Sequence, residues 1–154
     1  MIGALVDTAV LVAEIAATNK DGALKELLAV VQSSGGFTAK AAKHLQKRLL
    51  ERETIGSTGL GNGVAVPHVK DESVTQVALV LARSKKGLEW NAIDGRPVHV
   101  LFLLVSPSTE PENHLHCLRW IASLARSSDF RRFLMDAADA GAMRDLLREM
   151  APKE

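Results

Sequence analysis

The residues able to do chemistry gather around one glycine-rich stretch, Gly56-Ser57-Thr58-Gly59-Leu60-Gly61-Asn62-Gly63, which runs into Val64-Ala65-Val66-Pro67-His68. Glycine-dense loops hold phosphates when their backbone N–H groups converge, so nucleotide-binding loops come first. Gly56 and Gly61 have the P-loop spacing, but Asn62-Gly63 stands where Lys-Ser/Thr is required, and the lysine that reaches the outer phosphates is missing. A dinucleotide fingerprint fails too, because the glycines are misplaced and the stretch precedes a β-like run instead of following one. His68 is the stronger feature. Pro67 has a fixed φ and biases Val66 towards extended backbone, so the imidazole leaves a strand end in a defined direction. A neutral imidazole held there is a candidate nucleophile or base. Spacing alone supports no more than that, and an exposed turn followed by a surface histidine fits the same residues.

Four other histidines and one cysteine complete the inventory. His114 and Cys117 are three apart and share a helical face, but two ligands make a weak metal site, and Cys117 reads as a small apolar packing residue. No metal is expected. His116 points away from His114, His44 lies on a lysine-rich helix and His99 at a strand start; all three read as bystanders. A lone cysteine excludes an internal disulfide and suits a reducing compartment.

The elements that must position His68 follow from periodicity. Ala9 to Ile15 fits a buried strand or a short helix, and strand is the preferred reading. Thr18 and Asp21 offer caps for a helix carrying Leu24, Leu27, Leu28 and Val31 inward, stopped at Ser33-Ser34-Gly35-Gly36. Thr38 caps a second helix with Ala42, Leu45 and Leu49 inward. Val64-Ala65-Val66 is a short β-like run. Gln76–Ala82 and Val98–Val105 are near-continuous apolar runs expected of strands buried on both faces. Between them, Asp94-Gly95 is the strongest hairpin signal. Leu115, Leu118, Ala122 and Ala125 then repeat helically, with His114 on a stripe with Leu118, Ile121 and Ala125. Asp129 caps a helix with Phe130 and Leu134, and Met143, Leu146, Leu147 and Met150 mark a last one. The order βααβββααα implies an α+β (α/β-like) fold, one mixed sheet flanked by helices, in a single domain over 1–154 with residues 1–20 the least defined.

Composition narrows the function. With 47% hydrophobic and 24% charged residues in 154, the chain is globular. Nineteen basic against eighteen acidic residues leave a net charge of +1, so no global field recruits nucleic acid or an anionic membrane. Aromatics at 4% supply few stacking platforms for single strands. No apolar run reaches the roughly 18 residues of a membrane span, and Met1–Asp7 lacks the basic start of a secretory signal. The expectation is a cytoplasmic domain.

The segment from Leu50-Glu51-Arg52-Glu53 through the glycine stretch to Pro67-His68 resembles the active-site segment of the fructose/mannitol-type enzyme IIA family. These are phosphocarriers of the bacterial phosphoenolpyruvate-dependent phosphotransferase system, and they include nitrogen-regulatory IIA proteins. Asp94-Gly95-Arg96-Pro97-Val98 with the following strand, His114-Leu115-His116-Cys117-Leu118 and Asp129-Phe130 extend the resemblance over nearly the whole chain; the first twenty residues match poorly. The resemblance implies that His68 accepts a phosphoryl group from the phosphohistidine of the carrier HPr. It implies that His114 is a second active-site histidine and Arg52 a basic assistant, the imidazole and guanidinium screening the incoming dianion. Thr58, Gly61 and Asn62 are candidate phosphoryl-binding residues, through backbone N–H groups and side-chain donors; no cofactor is needed. A solvated helix-end cation is an equal reading of Arg52. The family usually has glycine after the active histidine, whereas this sequence has Val69-Lys70, and a β-branched residue there narrows the backbone.

The glycine string most resembles the nitrogen-regulatory branch, and a chain without an attached IIB or IIC segment is the expectation. The branch implies that the phosphorylation state is read by target proteins. One alternative is a sugar-specific IIA passing phosphate to a IIB cysteine. Another is a non-catalytic binding module on the same fold.

Overall fold

The two long apolar runs lie side by side in the middle of the sheet. In the computed structural model, which describes residues 1–153, the chain runs α1 (Ile2–Thr8), β1 (Val10–Val12), α2 (Lys20–Gly35), α3 (Ala39–Ile55), β2 (Gly59–Gly61), β3 (Val64–Ala65) and β4 (His68–Asp71). It continues through β5 (Ala78–Leu88), β6 (Val98–Pro107), α4 (Pro111–Arg126), α5 (Ser128–Asp136) and α6 (Ala140–Met150). The sheet order is β1-β5-β6-β3-β2, and β4 also pairs with β6. β1 is parallel to β5, β3 and β4 are parallel to β6, and the β2–β3 and β5–β6 pairs are antiparallel. The mixed sheet flanked by helices is the architecture expected from the sequence.

Both faces of β5 and β6 are covered, which is why they read as unbroken apolar runs. Ala78, Val80, Ala82, Leu101, Leu103 and Val105 pack with α2 and α3. Leu79, Leu81, Val100, Phe102 and Leu104 pack with α1, α4, α5 and α6. Arg83, 2% exposed, was not anticipated: its guanidinium donates to the carbonyls of Ala13 (2.8 Å), Leu134 (2.7 Å) and Ala137 (2.8 Å). It thereby satisfies the open C-terminal end of α5.

Several local expectations change. The first residues form a helix that buries Ile2, Leu5 and Val6, and the strand expected over Ala9–Ile15 is confined to Val10–Val12. α2 is capped by Asn19, whose side chain accepts from the Gly22 N–H at 2.8 Å, instead of Thr18 or Asp21. Thr38 caps α3 as expected. Asp94-Gly95 lies within a longer connection between β5 and β6. The tight turn is Asn62-Gly63, with φ of 57° and 77°, which joins β2 to β3. Asn-Gly tolerates two successive left-handed residues, as a type I′ hairpin requires.

α2 ends at Gly36, where φ is +65° and an added Cβ would lie 1.8 Å from Thr75 Oγ1. Gly36→Ala should therefore cost at least about 1–2 kcal/mol for the left-handed backbone, with the collision added. Urea unfolding reads this directly, and an unchanged midpoint would refute it.

Candidate functional site

His68 owes its position to a break in a strand. The residues of β3 and β4 pair with β6 in one continuous register, Val64 with Val100, Ala65 with Leu101 and His68 with Leu104. Between them Val66-Pro67 leaves the ladder, because proline has no N–H to give it. The Val66 N–H instead reaches sideways to the Thr58 carbonyl (3.0 Å), and the Leu104 N–H donates to the Pro67 carbonyl (3.1 Å). The Val66 carbonyl is left for a side chain, and His68 Nδ1 donates to it at 2.7 Å. A carbonyl can only accept, so the neutral ring is the Nδ1–H tautomer and Nε2 keeps its lone pair.

Nε2 belongs to a half-buried ring at a cleft of about 220 Å³ walled by Leu60, Val66, Leu118 and Ala122, with Arg52 at its margin. Arg52 lies in the last turn of α3, where Nη1 donates to the Gly56 carbonyl at 2.6 Å. It is thus both a helix-end cation and a wall of the His68 cleft. The Leu118–Ala122 stripe seen in the sequence faces this cleft, whereas Leu115 is 48% exposed; the α4 face in the core carries His114, Cys117, Ile121 and Leu124.

His114 is 5% exposed, and its ring centroid lies 5.6 Å from that of His68 at an interplanar angle of 50°. Its Nδ1 shares a hydrogen bond of 2.7 Å with the buried Ser106 hydroxyl, a partner that sequence reading missed. Burial first, then the charges of His68 and Lys70, push the His114 pKa down to about 4. His114 therefore stands neutral at pH 7 and is not a resident cation.

Thr58 lines the cleft, but its hydroxyl is committed elsewhere. It donates to Glu53 Oε1 (2.8 Å), while the Thr58 N–H donates to Oε2 (2.9 Å) and Trp90 Nε1–H to Oε1 (2.6 Å). Lys20 Nζ stands 3.6 Å from the same carboxylate. Glu53 thus ties the end of α3, next to Arg52, to the strand that receives Val66. The sequence signal was available, a carboxylate one residue past the candidate arginine, but its partners are distant in the chain. Gly61 and Asn62 stand apart from this cleft. They form the hairpin end, where the Asn62 N–H donates to Asp94 Oδ2 (3.0 Å) and Asn62 borders a different cavity.

Val69 alternates away from His68 into the core beneath α2 and α3, where extended backbone suits a β-branched side chain. At the other end of β4, burial works to raise the Asp71 pKa. Hydrogen bonds from Ser73, Arg48 and His44 outweigh it and hold that pKa well below the carboxylate range. His44 thereby helps pin β4 to α3, while His99 donates to the Ser84 carbonyl and His116 is exposed. Among the described residues no group of three or more His, Cys, Asp or Glu could hold a metal ion, and no helix is long and apolar enough to cross a membrane.

The family model described as "Phosphoenolpyruvate-dependent sugar phosphotransferase system, EIIA 2" matches residues 5–150, and the chain belongs to that family. It is 34% identical over 129 residues to a nitrogen regulatory protein of Bradyrhizobium diazoefficiens, covering 84% of this chain and 82% of that one. It is 29% identical over 135 residues to the fructose-specific EIIABC component of Bacillus subtilis, covering 88% of this chain but spanning only 21% of that protein. The nitrogen regulatory protein IIA-Ntr from Neisseria meningitidis superposes with a TM-score of 0.83 at 27% identity, over 95% of this chain and 98% of that one.

Two measurements test the supports. An unfolded chain protonates His114 near 6.5 and the folded one only near 4, so the unfolded state binds the extra proton and stability falls as pH drops through that window. His114→Gln should flatten this part of the stability–pH profile; an unaltered slope would show that His114 is not the group responsible. Glu53→Gln should lower stability by roughly 1.5–3 kcal/mol, the worth of hydrogen bonds to a charged group. Thermal melts of the two proteins at pH 7 measure it, and coincident melts would deny Glu53 this role.

Proposed function

We propose that this protein is a cytoplasmic phosphocarrier that takes a phosphoryl group from phospho-HPr, or a nitrogen-branch homologue of it, onto Nε2 of His68. The observation that carries this reading is the bond from His68 Nδ1 to the Val66 carbonyl, which leaves Nε2 as the nucleophilic nitrogen. In the transfer, the Nε2 lone pair attacks phosphorus in line. The bond from phosphorus to the donor's imidazole nitrogen breaks, and the donor ring leaves with the electron pair. His68 keeps its Nδ1 proton, and the positive charge that develops on its ring is stabilised by the Val66 carbonyl dipole. Such transfers pass through a loose transition state, so positioning and charge stabilisation carry the catalysis.

Arg52 supplies the standing positive charge for the dianion. His114 acts differently: neutral at rest, it faces a dianion once His68 is phosphorylated, and the nearby negative charge raises its affinity for a proton. Thr58 acts through its lock on Glu53, and Gly61 and Asn62 act through the hairpin that holds Thr58 against Val66.

The output belongs to the nitrogen-regulatory branch, in which target proteins read the phosphorylation state. The glycine string and the relative in Bradyrhizobium support this. The Bacillus fructose-specific relative supports the second reading, onward transfer to a IIB cysteine. Incubation with phosphoenolpyruvate, enzyme I and HPr should add the mass of one phosphoryl group, read by intact mass spectrometry under alkaline conditions. The adduct should be absent in His68→Ala. No adduct with any cognate donor would leave the chain a non-catalytic module, and discharge onto a purified IIB protein would assign it to the sugar branch.

A further inference from the structure

Away from the His68 cleft, unpartnered positive charge converges on a second cavity of about 400 Å³. Asn62 and Gly63 from the β2–β3 turn, Arg96 and Pro97 from the connection into β6, His99 on β6 and Arg131 on α5 form its walls. None of these residues lines the His68 cleft. Two guanidinium groups and an imidazole border the cavity, and none of the six lining residues is an acid.

Neither arginine is spent on an ion pair: among the arginines of the described residues, those in ion pairs are Arg48, Arg132 and Arg148. One nitrogen of Arg131 is anchored on the Ala125 carbonyl, which fixes the head group while its remaining N–H groups stay available. Asp94 is the acid of this turn. Its carboxylate accepts the Arg96 N–H (3.0 Å) and the Asn62 N–H (3.0 Å), and these bonds, the Arg96 one first, lower its pKa. Its two oxygens are therefore engaged by backbone on the hairpin; the Arg96 guanidinium adds a weaker charge attraction but makes no ion-pair contact with them. The His99 ring is oriented by its bond to the Ser84 carbonyl (2.8 Å).

A net charge of +1 makes this surplus a local feature and not a by-product of a basic chain. We infer that the cavity is a binding site for a phosphate-bearing small molecule, separate from the phosphoryl group carried at His68. Guanidinium forks match phosphoryl oxygens bidentately. The volume falls within the range of about 300–1,000 Å³ common to small-molecule sites. No Phe, Tyr or Trp lines the walls and the His99 ring is held by the Ser84 carbonyl, so the phosphate is the recognised part and the rest of the ligand occupies the remainder of the cavity.

The test titrates inorganic phosphate, pyrophosphate and a nucleoside diphosphate separately into isotope-labelled protein at constant ionic strength, following backbone amide resonances. Saturable shifts should centre on Asn62, Gly63, His99 and Arg131, and persist in His68→Ala. Arg96→Ala and Arg131→Ala, with spectra otherwise superimposable on wild type, should each weaken binding by roughly tenfold or more, the worth of a charge-assisted hydrogen bond. The weakest response to inorganic phosphate would mark an ester of larger body as the ligand class; the strongest would mark phosphate itself, and both support the site. Absence of saturation with all three anions overturns it. So do shifts that centre on His68, vanish in His68→Ala and ignore the two arginines.

Discussion

The structure around His68 depends on where the backbone hydrogen bonds go at Val66-Pro67. A strand pairing in one register with β6 is interrupted by a residue that has no N–H, and each polar group at the break must find a partner. The Val66 N–H finds the Thr58 carbonyl, the Pro67 carbonyl finds the Leu104 N–H, and the Val66 carbonyl takes the imidazole. The first of these bonds requires β2 to lie alongside, which requires the Asn62-Gly63 turn. It also requires Thr58 to be held, which the Glu53 carboxylate does through N–H and hydroxyl together. Glu53 in turn places the end of α3, and with it Arg52, at the same cleft. One unpaired carbonyl thus connects a tautomer to the packing of a helix.

The charges around the cleft are of two kinds. Arg52 contributes a guanidinium, whereas burial and the neighbouring His68 and Lys70 keep His114 neutral. A site built this way combines standing cations, Arg52 at the cleft and Lys70 near His114, with a neutral imidazole 5.6 Å from the ring that would carry the phosphoryl group. At the far end of β4, Asp71 holds the strand against α3 through Arg48 and His44, so the histidine at the start of the strand is backed by an ion-pair network at its end.

Much of this was legible in the residues, and what was missed has common causes. β5 and β6 were visible because burial on both faces leaves an unbroken apolar run. β2 and β4 were not: Gly59–Gly61 has no β-branched signal, and His68–Asp71 alternates between a ring, a core valine, an exposed lysine and a buried aspartate. The phase of α4 was legible in part: the stripe of His114, Ile121 and Ala125 is buried as read. Leu115 looks like a core residue on a helical wheel but is exposed, because α4 packs on the face carrying His114, Cys117 and Ile121, with Leu118 at the edge of that core beside the cleft.

The sequence by itself determined the mixed sheet, the helix caps written in Thr38, the direction given to His68 by Pro67, and the family to which the glycine string belongs. These are local properties, set by period, by φ restrictions and by neighbours within a few residues. Tertiary structure alone decided that Glu53 anchors Thr58 and Trp90, that Ser106 orients His114, that His114 stands neutral, and that Asn62 and Arg131 face a cavity of their own. Each of those pairings joins residues far apart in the chain or depends on how much water is excluded. Neither separation in space nor desolvation is written in the spacing of letters.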